Sequence, residues 1–229
     1  MSRQLKNLFL CVCSFVVFVL AIIGLGRDIF HAFEEILYDH QATLITNSAF
    51  SRLTNKVVLF GALLSLFLIP FYILKVFDKE YKIPNVVCSL KFIESVLLLV
   101  VVLLVVFVFF PLSCVLEGFE HAFRSVFLGD CLYSHVLIPL IFLLSYFLFD
   151  ERVELSKNMP IIIVVIVGFY VLIYVLFVFI LKTWEDFYFI HEASKKITYY
   201  AIVPLFFGAL IGTYFGSKFL LKTRTKNTD

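Results

Sequence analysis

Six long, unbroken apolar segments constrain this chain more than any other feature of its sequence. A bilayer core about 30 Å thick is crossed by roughly 20 helical residues, which is close to the length of each segment. Strands of a membrane barrel would be shorter and would alternate apolar with polar residues. We therefore expect an all-α fold, in which residues 1–229 form a single integral membrane domain of six transmembrane helices. The predicted spans cover residues 8–26, 57–74, 86–110, 132–149, 160–181 and 197–221.

The composition supports a membrane environment. Hydrophobic residues make up 62% of the chain and charged residues only 16%, with a mean hydropathy of +1.03. A soluble domain is about half apolar and about a quarter charged, so a soluble globule of this composition would expose large apolar patches. The net charge of +2 is too small to predict nucleic-acid binding. We expect membrane lipid as a partner and no nucleic acid.

The distribution of Lys and Arg predicts the orientation. With the amino terminus in the cytosol, twelve of the 19 lysines and arginines fall on the cytosolic side and seven on the other. The positive-inside rule then favours both termini in the cytosol. The first span follows a basic stretch, as a signal peptide would, but no small-residue cleavage site follows it. We interpret it as a retained helix.

The five cysteines do not predict a disulfide framework, because their number is odd and most of them lie in spans. Cys114 and Cys131 flank one outer loop and are able to pair in an oxidising compartment. Buried free thiols are the favoured interpretation.

Two outer connections, residues 28–55 and 115–130, carry apolar residues at helical spacing. Such segments are typical of amphipathic helices that lie in the membrane interface. They are equally compatible with helices that extend the neighbouring spans by a turn or two. Both interpretations stay open at this point.

Three glycines, Gly208, Gly212 and Gly216, lie four residues apart in the sixth span. They share one helical face, where the lack of side chains allows another helix to approach closely. We favour packing of this face against another helix of the same chain. Contact with a second copy in a homo-oligomer is the alternative.

Two side chains could carry chemistry. His135 is in the first turn of the fourth predicted span, and Pro139 cannot donate a hydrogen bond to its carbonyl, which favours a polar pocket there. Ser51 precedes the second span, where serine is a preferred N-cap, but it could also be a nucleophile activated by a base. A helix amino terminus also stabilises an oxyanion. Both helices run inward from the outer face, so we expect the two side chains at similar depth.

Three motifs resemble a known family. They are Phe50-Ser51-Arg52-Leu53-Thr54-Asn55, His135-Val-Leu-Ile-Pro139 and, more loosely, Trp184-Glu-Asp-Phe-Tyr-Phe-Ile190. Their pattern is similar to that of bacterial six-pass membrane proteins related to the androgen-induced membrane proteins, over roughly residues 45–220. The resemblance implies a bacterial plasma membrane.

The resemblance also implies an activity. Members of the related group hydrolyse fatty acid esters of hydroxy fatty acids, with a threonine and a histidine as the catalytic pair. Ser51 matches the threonine and His135 the histidine, while Thr54 is a rival nucleophile. Thr54, Asn55, Pro139 and Trp184 match motif positions and are expected to line the substrate site. The expected function is therefore that of an intramembrane lipid esterase that needs no cofactor or metal.

Two other classes of function compete with this hypothesis. The histidines and acids of the outer side include enough ligand types for zinc, but no His-Glu-x-x-His spacing occurs. A non-catalytic lipid-binding, scaffold or transport-associated protein is the more serious rival. Glu94 is expected to pair with Lys91 near the inner end of its span, and the absence of ionisable groups from the middles of the spans argues against an ion-coupled carrier.

Overall fold

The computed structural model describes residues 2–38, 52–78, 80–151, 153–184 and 202–224, and these residues form helices joined by short connections, without a strand. The prediction of an all-α fold is confirmed for this part of the chain. The helices are α1 (Arg3–Tyr38), α2 (Leu53–Phe77), α3 (Asn85–Leu116), α4 (Phe119–Phe127), α5 (Tyr133–Phe149, preceded by the turn Asp130–Leu132), α6 (Met159–Ile180) and α7 (Ile202–Arg224).

Several helices are long and apolar enough to span a membrane. Four satisfy both conditions, namely the first part of α1, Arg3–Gly26, together with α2, α3 and α6. The helix α5 is apolar but shorter, and α7, with 23 residues, coincides with the sixth predicted span. Apolar side chains also cover the outside of the bundle, where Phe107 is 71% and Phe169 64% exposed. A helix bundle that is apolar inside and outside is suited to a membrane rather than to water.

The two outer connections behave differently. The first continues α1 without a break as far as Tyr38, so this part extends the first span, and residues 39–51 lie outside the described residues. In the second, Gly118 has a φ of +93°, a conformation that glycine adopts easily and that ends the third span. A separate amphipathic helix, α4, follows and packs Ala122 and Val126 onto the bundle.

Two helices contain an irregular turn next to a proline. Pro111 and Pro139 each lie two residues after a π-helical turn, Val105–Phe109 in α3 and Tyr133–Leu137 in α5. A proline has no N–H to complete the usual bond to the carbonyl four residues earlier. In a π-helical turn each hydrogen bond reaches back five residues. The residue before Pro139 therefore stays bonded, since the Ile138 N–H donates to the Tyr133 carbonyl. His135 therefore sits in an irregular turn, as Pro139 predicts.

The bundle has two distinct ends. At the Arg3 end, α1 and α3 begin while α2 and α5 finish, and the Gln4 side chain donates to the carbonyl of Val76 at 3.4 Å. At the opposite His135 end, α2 and α5 begin and α6 finishes. Between the ends, fully buried side chains such as Val58, Leu98 and Ile163 form the core.

The glycine face of α7 has no partner within the described part of the chain. No atom there lies within 4 Å of the position that a Cβ would take at Gly208, Gly212 or Gly216. Contact with α6 instead runs through Leu210, whose Cδ2 lies 3.9 Å from the Cβ position of Gly168. The expectation that the three glycines pack within the chain is therefore not met among these residues. All five cysteines, including Cys114 and Cys131, are free thiols.

Candidate functional site

The His135 end brings together the segments that carry the sequence motifs. The π-helical turn around His135 packs against α2, and Arg52, directly before α2, lies close enough to interact electrostatically with His135. The ammonium group of Lys56 lies 4.8 Å from the centre of the Trp184 ring and 5.2 Å from that of Tyr170. The first residues of α2 thus lie near both His135 and Trp184.

One nitrogen of the His135 imidazole, Nδ1, lacks a hydrogen-bond partner among the described residues. This atom is buried, and no described residue donates to it or accepts from it. Buried polar atoms are almost always hydrogen-bonded, so one without a partner points to a ligand, a water or a chemical role. Within the described ranges no acid is hydrogen-bonded to this nitrogen, whereas an acid orients the histidine of a catalytic triad.

Of the two candidate nucleophiles, the structure describes only Thr54. Ser51 lies outside the described residues. The N-cap position of α2 is occupied by Arg52, whose side chain does not cap the helix, so the expectation that Ser51 is the N-cap is wrong by one residue. Thr54, in the first turn of α2, is 7% exposed. Asn55 follows it and is half-buried.

The remaining motif residues, Pro139 and Trp184, are buried at the His135 end. Trp184 is 8% exposed and stacks on Phe177 with ring centres 4.8 Å apart. Pro139 is buried in α5, one turn further into the bundle than His135. These two side chains therefore shape the His135 end by packing.

A second polar cluster, at the Arg3 end, was missed by the sequence analysis. The carboxylate of Glu151 lies 2.7 Å from the ammonium of Lys75 and 3.3 Å from the guanidinium of Arg3. The ammonium of Lys91 lies 2.7 Å from the carboxylate of Asp150. Lys75 and Lys91 are only 6% and 4% exposed, so both lysines are buried, while their carboxylate partners are partly exposed.

Two tyrosines complete the surroundings of Lys91. Its ammonium donates a hydrogen bond to the hydroxyl of Tyr72 and lies 4.9 Å from the centre of that ring and 5.6 Å from the Tyr146 ring. Aromatic faces stabilise a cation that has lost its water. The buried ammonium is thus satisfied by a carboxylate, a hydroxyl and two rings.

The cluster borders a cavity of about 390 Å³. This volume lies within the range of small-molecule sites, roughly 300–1,000 Å³. Lys82 and Glu154, both exposed, stand at its rim. Four basic and three acidic side chains line it, namely Arg3, Lys75, Lys82, Lys91, Asp150, Glu151 and Glu154.

The electrostatics of the cluster stabilise the ionised form of Glu151. Partial burial acts to raise the pKa of this carboxyl. The hydrogen bond and charge of Lys75, with the charges of Arg3 and Lys6, outweigh that effect and hold the pKa below the ordinary value of 4.5.

Glu94 does not form the expected ion pair with Lys91. Lys91 pairs with Asp150, and Glu94 is completely buried with no hydrogen-bond partner for either carboxylate oxygen among the described residues. The spacing of three residues favours a pair on one helix. Here the carboxylate at the end of α5 reaches the ammonium instead.

The described ranges contain no group of three or more His, Cys, Asp or Glu side chains that could hold a metal ion. The imidazole of His121 is 3.4 Å from the carboxylate of Glu117 on the outer surface of the bundle. His40 and His191, which the zinc hypothesis also uses, lie outside the described residues.

Comparison of the chain with the models of protein families, with curated proteins and with solved structures finds no match. The resemblance of the three motifs to bacterial six-pass membrane proteins therefore stays a prediction.

Proposed function

We propose that this chain is a six-pass integral membrane protein of a bacterial plasma membrane that hydrolyses a lipid ester at the His135 end. Both termini lie in the cytosol in this proposal, so the His135 end faces outward. The six apolar segments and the excess of basic residues on the cytosolic side support this topology.

The unpartnered Nδ1 of His135 is the observation that carries the catalytic proposal. A general base needs a nitrogen that is not already occupied by a structural partner. The turn that holds His135 packs against α2, the helix whose first turn contains Thr54 and follows Ser51, and Arg52 at the start of this helix interacts electrostatically with His135. A hydroxyl and an imidazole are the two groups that ester hydrolysis through an acyl-enzyme requires.

The reaction follows from these roles. The hydroxyl oxygen of Ser51 attacks the ester carbonyl while its proton passes to His135. The bond to the alcohol then breaks, and the alcohol leaves with the proton from His135. Water, activated by the same imidazole, cleaves the acyl-enzyme and releases the fatty acid. Thr54 is the alternative nucleophile for the first step.

A fluorophosphonate probe tests this proposal on the full-length chain in detergent or nanodiscs. We expect labelling of the wild type and loss of the label in Ser51→Ala and His135→Gln. Ser125→Ala and His121→Gln, on α4, are matched controls that keep the label. Loss of the label in Thr54→Val instead of Ser51→Ala would assign the attack to Thr54. Labelling that survives Ser51→Ala and Thr54→Val together would overturn the proposal.

A second candidate function is non-catalytic binding of a phosphate-bearing lipid headgroup at the Arg3 end. The charged cavity favours it, because Arg3 and Lys75 share the single carboxylate of Glu151 and leave an excess of positive charge. Native mass spectrometry would detect phospholipid retained by the purified chain. We expect Arg3→Gln to lose this lipid, whereas Arg124→Gln, at an exposed pair on α4, retains it. Equal retention in the two variants would reject this function.

We also propose that the open face of Gly208, Gly212 and Gly216 packs against a second copy of the chain. Close approach of two helices at glycines stabilises membrane dimers through dispersion forces. Replacing Gly212 with Leu should then abolish a dimer seen by cross-linking in nanodiscs, while Phe207→Leu, at an exposed position on another face, should leave it intact. A dimer that persists in Gly212→Leu would contradict this seam.

A further inference from the structure

Glu94 occupies space that a glycine of the neighbouring helix leaves open. A Cβ added at Gly61 of α2 would collide with the Oε1 atom of Glu94 and would lie 3.3 Å from its Cδ. The carboxyl group therefore rests directly on the backbone of α2. Its position depends on the absence of a side chain at residue 61.

Polar atoms at this contact have no partners. Glu94 is 0% exposed, and neither carboxylate oxygen has a hydrogen bond among the described residues. Ser65 lies one turn from Gly61 on α2, is also 0% exposed and has an unpartnered hydroxyl. Three buried oxygen atoms without partners thus lie on the facing helices α2 and α3.

The charged groups nearest to Glu94 along the helices are engaged elsewhere. Lys91, one turn away on α3, pairs with Asp150, and the ammonium of Lys56, five residues before Gly61 on α2, lies over the rings of Tyr170 and Trp184. Tyr72 accepts from Lys91. No described charged group is hydrogen-bonded to Glu94, and the carboxyl is completely buried.

Burial decides which form of the carboxyl is stable. An ionised carboxylate without a partner in an apolar interior costs many kcal/mol, so such a group normally takes up a proton or binds a cation. A neutral carboxylic acid has a much smaller desolvation cost. Its O–H also becomes a hydrogen-bond donor.

We propose that Glu94 is a membrane-embedded proton-binding site, which carries its proton between α2 and α3 and exchanges it through the cavity at the Arg3 end. Release breaks the O–H bond of the carboxylic acid, the electron pair stays on the carboxylate, and the proton passes to water in the cavity. This inference is independent of ester hydrolysis at the His135 end.

The cavity provides the route for exchange. Lys91 and Leu68 both line it, and they lie three residues from Glu94 and from Ser65 respectively. Three residues correspond to about 4.5 Å along a helix axis. The cavity therefore approaches within one helical turn of the unpartnered oxygens on both helices.

Carbodiimide labelling tests the proposal without knowledge of the protein's substrate. Dicyclohexylcarbodiimide is apolar and reacts with protonated carboxyl groups in membranes. We expect peptide mass spectrometry of the wild-type chain in nanodiscs to find an adduct on Glu94 that decreases as the pH rises. A water-soluble carbodiimide should modify Glu120, which has an 81% exposed side chain, and should leave Glu94 unmodified.

Variants and added ions serve as controls for the carbodiimide labelling. Glu94→Gln should remove this adduct, whereas Glu120→Gln should leave it unchanged. Absence of an adduct on Glu94 in folded wild-type protein would overturn the proposal. Protection of Glu94 by Na⁺ but not by K⁺ would also overturn it, because the ligand of the site would then be sodium. Equal modification by the water-soluble reagent would show that Glu94 is reached by bulk water and would reject a buried site.

Discussion

At the Arg3 end, the buried ammonium groups of Lys75 and Lys91 each lie 2.7 Å from a carboxylate, whereas at the His135 end the buried Nδ1 of His135 has no described partner. Buried polar groups that satisfy one another's hydrogen bonds make the surrounding part of the bundle rigid. A polar atom without a partner is available to a substrate, a water or a proton. The contrast suggests that the first end stabilises the bundle and that the second performs chemistry.

The largest expected effect comes from breaking the buried pair at the Arg3 end. Lys91→Met leaves the carboxylate of Asp150, with a 16% exposed side chain, without its cation. Removal of one partner from a buried pair costs about 3–5 kcal/mol. We expect a correspondingly large drop in thermal stability in detergent.

Two comparisons make this prediction specific. The double variant Lys91→Met/Asp150→Asn should recover part of the lost stability, since no unpaired charge remains. Arg124→Gln breaks a pair of the same 2.7 Å length that is exposed on α4, and it should change stability by about 0.5 kcal/mol or less. Similar losses in Lys91→Met and Arg124→Gln would show that burial does not distinguish the two pairs.

An intermediate effect is expected between the two ends, at Gly61. The methyl group of Gly61→Ala would overlap the Glu94 carboxyl, and overpacking of this kind costs about 1–3 kcal/mol. The loss should disappear when Gly61→Ala is combined with Glu94→Ala, which vacates the space. Gly208→Ala, where no described atom lies within 4 Å, is the control and should not show this loss. Equal unfolding midpoints for the two alanine variants would contradict the predicted contact.

A smaller effect is expected from pH at the Arg3 end. Because the pKa of Glu151 in the folded chain lies below its ordinary value, the unfolded chain takes up the proton first as the pH falls. The stabilisation is complete above the ordinary pKa of 4.5 and is lost as the pH falls through the lower folded-state pKa. The side chain is 36% exposed, so we expect a contribution of about 1 kcal/mol or less.

Unfolding midpoints measured from about pH 7 to about pH 3 would test this dependence. Glu151→Gln should be less stable than the wild type near neutral pH, and the difference should narrow in acid. A difference between the two proteins that stays constant across this range would mean that the ion pairs of Glu151 do not contribute.

The fold was largely predictable from the sequence, because the length of an apolar segment and the need to bond the backbone in lipid are local properties. Pro139 was expected to leave the carbonyl of His135 without its usual N–H donor, and the structure has a π-helical turn at this position. The break at Gly118 was not predicted, because the sequence alone could not decide whether α4 extends α3 or stands apart.

The polar clusters could not be predicted from the sequence, because they form through contacts between residues that are far apart along the chain. Lys75 and Glu151 are 76 residues apart, and only the packing of α2 against the end of α5 brings them together. The sequence favoured Glu94 as the partner of Lys91, but Asp150 is the partner in the folded bundle. Lysines within a turn or two of span ends, next to an Asp150-Glu151 pair that follows a span, were the signal that could have revealed this cluster.

A paired measurement on His135→Gln tests the contrast between the ends most directly. Thermal unfolding and fluorophosphonate labelling would be recorded on the same preparations of the wild type, His135→Gln and Lys91→Met. Since the Nδ1 of His135 has no partner to lose among the described residues, we predict that His135→Gln destabilises the protein much less than Lys91→Met and abolishes the label. Lys91→Met should show a large loss of stability and should keep the label wherever it remains folded. A His135→Gln protein that is as unstable as Lys91→Met and still labels fully would contradict the account.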